Sequence, residues 1–183
     1  MKKAIVLLAD GFEDVEAVTP IDYLRRAGIE VVTAAISENL TITSRWGGIK
    51  LIADTTLSKN EEINWDAVII PGGMPGASNI AASQEANVFI KKMASDGKLV
   101  CAICASPVVV LAPLGLLNRK KFTCYPGLEE KITDGQWSDT RVIVDGNIIT
   151  SRGAGTAGEF SIAIIENLLD KAAAEKIAET VLL

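Results

Sequence analysis

Few side chains in this 183-residue sequence can carry chemistry: three cysteines, a scatter of carboxylates, and no histidine. Cys104 is the most informative of them. It ends the apolar run Lys98-Leu-Val-Cys-Ala-Ile-Cys104 and directly precedes Ala105-Ser106-Pro107, which puts it where a strand hands over to a helix. A tight strand-to-helix turn pushes its side chain out as a nucleophile, although the glycines of the G-x-S-x-G elbow are missing here. Ser106 can cap the following helix and Pro107 suits its first turn, so free amides of that turn are expected to face the sulfur. Such a setting lowers a thiol pKa from about 8.5 into a range of roughly 3.5 to 7.5, giving thiolate at neutral pH. The alternative is a buried structural cysteine, common for this residue type.

The missing histidine removes the Cys-His dyad, the Ser-His-Asp triad and any histidine metal site. An ordinary thiol protease is therefore disfavoured, and no metal and no cofactor are expected. Acid and base work falls to carboxylates, and Glu16 is best placed because it follows the first apolar run by about one helical turn. Buried beside a developing thiolate, it would be pushed up in pKa by desolvation and like charge, and could donate its proton to sulfur. Glu13 and Asp14 are read as complements to the helix dipole, worth about 0.3–1 kcal/mol each.

Two further motifs fail on context. Cys101-Ala-Ile-Cys104 has redox-pair spacing, but such pairs sit together at a helix start and Cys101 lies inside the strand run. Gly153-Ala-Gly155-Thr-Ala-Gly158 has the form of a dinucleotide fingerprint. The short helical remainder after it leaves no second strand to carry a ribose-binding acid.

The elements that must position these residues alternate along the chain. Ala4–Leu8, Glu30–Ala35, Asp66–Ile70 and the run ending at Cys104 read as strands buried on both faces. Ala17, Ile21 and Leu24 give a first helix that stops at Ala27-Gly28, and Ala86, Phe89, Ile90 and Met93 give a second, closed by Asp96-Gly97. Val108 to Leu111 suggests a buried helix, and Ser37 to Leu57 short strands or a hairpin. Arg141–Thr150 reads as a hairpin around Asp145-Gly146-Asn147. Thr156 with Glu159 suggests a capping box for a last helix facing inward through Ala157, Phe160, Ile164 and Leu168. This order predicts an α/β fold, a doubly wound, mostly parallel sheet with helices on both faces, as a single domain over residues 1–183. Ligands in such folds bind beyond the carboxyl ends of the strands. Four segments leave strands toward that edge: Asp10–Glu16, Pro71–Gly76, Cys104–Pro107 and Ser151–Thr156.

Composition sets outer limits. An apolar fraction of 49% with 22% charged residues is globular, and a net charge of -5 argues against nucleic-acid or anionic-membrane partners. The apolar run after Met1-Lys-Lys is too short for a signal peptide or a membrane span, and free thiols suit a reducing compartment, so a cytoplasmic location is expected.

Taken together, Gly11-Phe-Glu-Asp-Val-Glu16-Ala-Val, Arg25-Arg-Ala-Gly28, Pro71-Gly-Gly73, Ala102-Ile-Cys104-Ala105 and Thr150-Ser-Arg-Gly-Ala-Gly-Thr156 resemble the DJ-1/PfpI superfamily, DJ-1/ThiJ branch, from the first strand to the last helix. The resemblance implies a flavodoxin-like fold and a homodimer. It implies Cys104 as the reactive cysteine, Glu16 as its protonated partner, and the amides of Gly73 and Ala105 as an oxyanion or anion pocket. Arg45 and Arg152 match family arginines near the site and the subunit contact. Where that branch carries a histidine in a Thr-His-Pro segment, this chain reads Cys124-Tyr125-Pro126. Tyr125 could hydrogen-bond or close the pocket, but a phenol with a pKa near 10 is a poor proton shuttle at pH 7, which weighs against histidine-dependent activities. Two function classes follow from the resemblance. One is a cofactor-free glyoxalase or deglycase acting on small methylglyoxal-type carbonyls; the other is a non-catalytic, redox-responsive protein whose Cys104 is oxidised to sulfinate, with a chaperone or stress-protective role.

Overall fold

Continuous apolar runs become the central strands because helices cover both of their faces. The computed structural model describes residues 1–46, 48–60 and 63–183. Its strands are β1 (Lys3–Leu8), β2 (Glu30–Ala35), β3 (Thr41–Thr43), β4 (Lys50–Ile52), β5 (Thr55–Thr56), β6 (Ala67–Ile70), β7 (Leu99–Ile103), β8 (Lys121–Phe122), β9 (Gln136–Trp137), β10 (Val142–Asp145) and β11 (Ile148–Ser151). Its α-helices are α1 (Asp14–Arg26), α2 (Gly76–Ala82), α3 (Gln84–Ser95), α4 (Ala157–Leu168) and α5 (Lys171–Val181). Seven strands form one sheet in the order β10-β11-β7-β6-β1-β2-β5, parallel throughout except for the antiparallel β10–β11 pair. The predicted mostly parallel α/β sheet is thus what the chain forms.

Alternation along β1 splits the core in two. Ala4, Val6 and Leu8 pack with Ala17 and Leu24 of α1 and with Phe160 and Ile164 of α4. Ile5 and Leu7 face the opposite layer, with Ile80 of α2 and Phe89 and Ile90 of α3. Each fully buried Ile, Leu or Phe adds roughly 1.5–3 kcal/mol, so the two layers clamp the sheet from both sides. No described helix is long and apolar enough to cross a membrane.

The structure redraws several local expectations. The stretch 37–57 forms the β3–β4 hairpin, as anticipated, but its end also joins the main sheet as edge strand β5; Gly47, within that stretch, lies outside the described residues. The buried turn after Cys104 is π-helical, Pro107–Leu111, and Ser106 does not cap it. Ser106 Oγ instead donates to the Pro71 carbonyl at 2.6 Å, tying the elbow to the end of β6. The Thr156–Glu159 capping box is absent. Thr156 Oγ1 pairs with Ser151 Oγ at 2.6 Å and accepts from Gly153 N, while Glu159 is drawn off to Arg141. In both places a nearer buried polar partner outcompetes the helix terminus.

Candidate active site

At the carboxyl edge of the sheet, the four segments singled out by sequence converge through backbone hydrogen bonds. Glu13 N donates to Gly72 O at 3.0 Å, Gly76 N to Gly11 O at 3.2 Å, and Cys104 N to Ser151 O at 2.9 Å. Cys104 itself adopts φ 65, the left-handed region that a non-glycine residue enters at a cost of about 1–3 kcal/mol. Its two flanks hold it there. Ser151 O fixes its amide, and Tyr125 N donates to its carbonyl at 2.8 Å. The elbow expected from the Cys104-Ala105-Ser106-Pro107 order is therefore built without the elbow glycines.

Glu16 reaches the sulfur from α1. It is 1% exposed, and its carboxyl hydrogen-bonds the Cys104 side chain. Two amides brace it as well: Gly72 N donates to Oε2 at 2.9 Å, and Ala154 N also donates to the carboxyl group. Glycine at 72 is required by space, since a Cβ there would run into Glu16 Oε2 and Cys104 Cβ. The amides of Gly73 and Ala105 also interact with the sulfur. Gly73 has φ 92, so a left-handed backbone turns its N–H toward the site.

Electrostatics correct one expectation. Burial, then the charge of neighbouring Glu13, raises Glu16 from 4.5 to about 7. Burial, then the charge of Glu16, pushes the Cys104 thiol up to about 12, against the opposing pull of the Gly73 and Ala105 amides. Burial thus works against the lowering that helix amides alone would give the thiol. Desolvation outweighs two hydrogen bonds, and the five-residue π turn offers no long helix dipole. Above about pH 7 the pair holds one proton and one negative charge between carboxyl and sulfur, and a thiolate forms when that proton passes to Glu16.

A cavity of about 470 Å³ opens on this pair. Glu13, Arg45, Trp46, Met74, Tyr125 and Leu128 line it beyond the reactive atoms. Arg45 stacks its guanidinium 4.2 Å from the Trp46 ring centroid. Tyr125 is 54% exposed at the rim. Arg152 is outside this cavity; it lines a neighbouring one of about 330 Å³ that shares Tyr125 and Ala154, and is ion-paired with Asp139. Cys101 is fully buried in β7 and Cys124 is fully buried with its thiol near Glu129, so neither reaches the cavity. Among the described residues no three His, Cys, Asp or Glu side chains gather as a metal site.

Sequence reasoning missed the amides of Gly72 and Ala154 and the place of Glu13. A signal for Ala154 existed. The glycine run at 153–158 hinted at close backbone approach, and at its first position Gly153, next to Ala154, a neighbour is the Glu16 carboxyl group.

A flavodoxin-like sheet with a strained elbow cysteine facing a buried carboxyl group defines the class to which this molecule should be compared. The chain matches the DJ-1/PfpI family over residues 2–167 and belongs to it. Protein DJ-1 homolog B of Arabidopsis thaliana is 44% identical over 88% of this chain and 37% of its own length. Protein DJ-1 homolog A of the same plant is 39% identical over 100% and 47%. The chain therefore spans less than half the length of these two relatives. The Caenorhabditis elegans protein named glutathione-independent glyoxalase DJR-1.2 is 34% identical over 91% of this chain and 89% of its own. Among solved structures, oxidized Toxoplasma gondii DJ-1 superposes with a TM-score of 0.96 at 39% identity, covering 100% of this chain and 98% of that one.

Proposed function

We propose that this protein is a cofactor-free glyoxalase acting on small α-oxoaldehydes such as methylglyoxal. The observation that carries the reading is the hydrogen-bonded Cys104–Glu16 pair, with two amides facing the sulfur at the floor of an open cavity. The name of the C. elegans relative supports the substrate class.

The sulfur of Cys104 adds to the aldehyde carbon while Glu16 takes the thiol proton, and the oxygen becomes an oxyanion held by the Gly73 and Ala105 amides. Glu16 returns that proton to oxygen, giving a hemithioacetal. It then removes the C1 hydrogen as a proton, forming an enediolate, and delivers it to C2 while the C1 hydroxyl proton passes to the C2 oxygen, which leaves a thioester of a 2-hydroxy acid on Cys104. Water cleaves the thioester, releasing lactate and restoring the thiol. The balance is one methylglyoxal and one water to one lactate, with no external oxidant or reductant. Tyr125 closes the rim without shuttling protons.

The test is lactate production from methylglyoxal. Wild type should turn over, and Cys104→Ser and Glu16→Gln should each lose at least about a hundredfold. Lactate formation by wild type at the Cys104→Ser level would remove the enzyme reading.

A second reading draws on the solved structure of oxidized Toxoplasma gondii DJ-1. Here peroxide oxidises Cys104 to sulfinate, whose oxygens accept from the same amides and from protonated Glu16, and the oxidised protein acts in stress protection. Intact mass after mild peroxide checks it: two added oxygens confined to Cys104 support it, and oxygens spread over Cys101 and Cys124 count against it.

We also assign the protein as a cytoplasmic homodimer. Val15 and Val18, one turn apart on α1, are 46% and 47% exposed, an apolar stripe beside the site that a second copy would cover. Sedimentation should give a dimer that Val18→Glu converts to monomer; a wild-type monomer would dismiss it.

A further inference from the structure

Glu13 does more than complement the dipole of α1. Its Oε2 accepts from Glu16 N at 2.8 Å, making it the side-chain cap of the helix that carries Glu16. Its own amide donates to Gly72 O at 3.0 Å, and the amide of Gly72 donates to Glu16 Oε2 at 2.9 Å. Glu13 therefore grips Glu16 twice, once through the helix backbone and once through Gly72. It is half-buried and lines the same cavity as Cys104 and Glu16.

Two carboxylates bracketed in this way are not a neutral arrangement. The titratable groups that interact with Glu16 are Glu13 on its own helix entry and Cys104 on the elbow; from β6 and the segment after β11 it receives only the uncharged Gly72 and Ala154 amides. Arg45 and Tyr125 line the cavity from the hairpin and the segment after β8. Arg45 stacks on Trp46. A fixed negative charge facing a buried carboxyl group favours the protonated form of that group.

We propose that Glu13 is a positioning residue for the Cys104–Glu16 pair: through the helix cap and the Gly72 contact it fixes Glu16 against the sulfur, and its acidic side chain at the cavity wall sets the conditions under which the pair reacts. The proposal rests on the reading of Cys104 and Glu16 as a reactive pair, and on no particular substrate. Its consequence is regulatory. The acidity at which the site switches on is set by a residue that need not touch the substrate, and Glu13 could be exchanged to move that threshold without rebuilding the pair.

The experiment uses alkylation of Cys104 by neutral iodoacetamide, followed by intact mass and peptide mapping, from about pH 5 to 9. Cys101 and Cys124 are buried and serve as silent internal controls. Glu13→Gln keeps a side-chain oxygen for the cap but drops the charge. Its normalised pH profile should move down by about half a unit, so that alkylation one unit below the wild-type midpoint is faster by about threefold. Glu13→Ala should show the same shift and also lose thermal stability, because the Glu16 amide loses its acceptor. An unshifted midpoint in folded Glu13→Gln overturns the proposal. If Glu13→Gln does not fold, wild type titrated from about 0.01 to 1 M salt replaces it: screening of half-buried Glu13 should lower the midpoint, and a salt-independent midpoint overturns the proposal equally. Methylglyoxal turnover measured in parallel separates the two readings, since a shifted alkylation profile without turnover fails only the substrate assignment.

Discussion

Cys104 and Glu16 sit one hydrogen bond apart, and burial raises the proton affinity of both, so their reactivity is a property of the pair. Below about pH 7 both groups are protonated, and the anion that attacks is scarce. Thiol alkylation at Cys104 should therefore fall about tenfold per pH unit below that midpoint and level off above it. In Glu16→Gln the step near 7 should vanish and the rate at pH 8 should stay low, because no carboxylate is left to receive the proton. A wild-type profile rising only above pH 9 would show that Glu16 takes no part. At this scale the sequence was informative about which side chains meet. The absence of histidine pointed to Glu16, and the strand-to-helix order pointed to Cys104. The direction of the thiol shift was not legible, since it depends on how completely Glu16 is buried, a property of the packed helix rather than of spacing. Tyr125 stands at the rim of the cavity, whereas Arg152 lies outside it, ion-paired with Asp139.

Each element contributes its end. The carboxyl ends of β1, β6, β7 and β11 supply the four converging segments, and the strained Cys104 backbone survives because its neighbours are tied on three sides. Beyond the paired strands, the Ser106–Pro71 hydrogen bond ties the elbow after β7 to the segment after β6. Ser106→Ala should leave a fully buried Pro71 carbonyl without a partner and cost about 1–3 kcal/mol in urea unfolding, with slower Cys104 alkylation as the elbow loosens. An unchanged unfolding midpoint would mean that the tie does not matter. The strands and the α1, α3 and α4 helices were legible because their apolar periods are long and clear. Helix α2 was not: Gly76-Ala-Ser-Asn-Ile80-Ala-Ala82 is short, opens on glycine and has one large apolar residue, so its packing against the π turn, α3 and β1 defines it rather than its own pattern. The π turn hid behind Val108-Val-Val-Leu111, where a run of apolar residues states burial but not the hydrogen-bond register.

For the whole molecule, the buried carboxyl group couples folding to pH. In the unfolded chain Glu16 returns to about 4.5, whereas folded it holds its proton to about 7. Its contribution to stability is thus complete below about 4.5 and lost as pH rises through about 7, a change of about 3 kcal/mol. Urea unfolding at pH 5 and pH 8 should show wild type weaker at pH 8, and Glu16→Gln should flatten most of that difference; equal pH dependence in both would contradict the buried-carboxyl account. Site and stability are here in tension, as the same desolvation that tunes the pair strains the fold at neutral pH. The sequence has no histidine, and among the described residues Glu16 is a carboxyl group raised to about 7. Calorimetry of ligand binding, repeated in buffers of different ionisation enthalpy, would then count protons entering or leaving the site directly: the protein carries its own proton meter, with Glu16 as the needle.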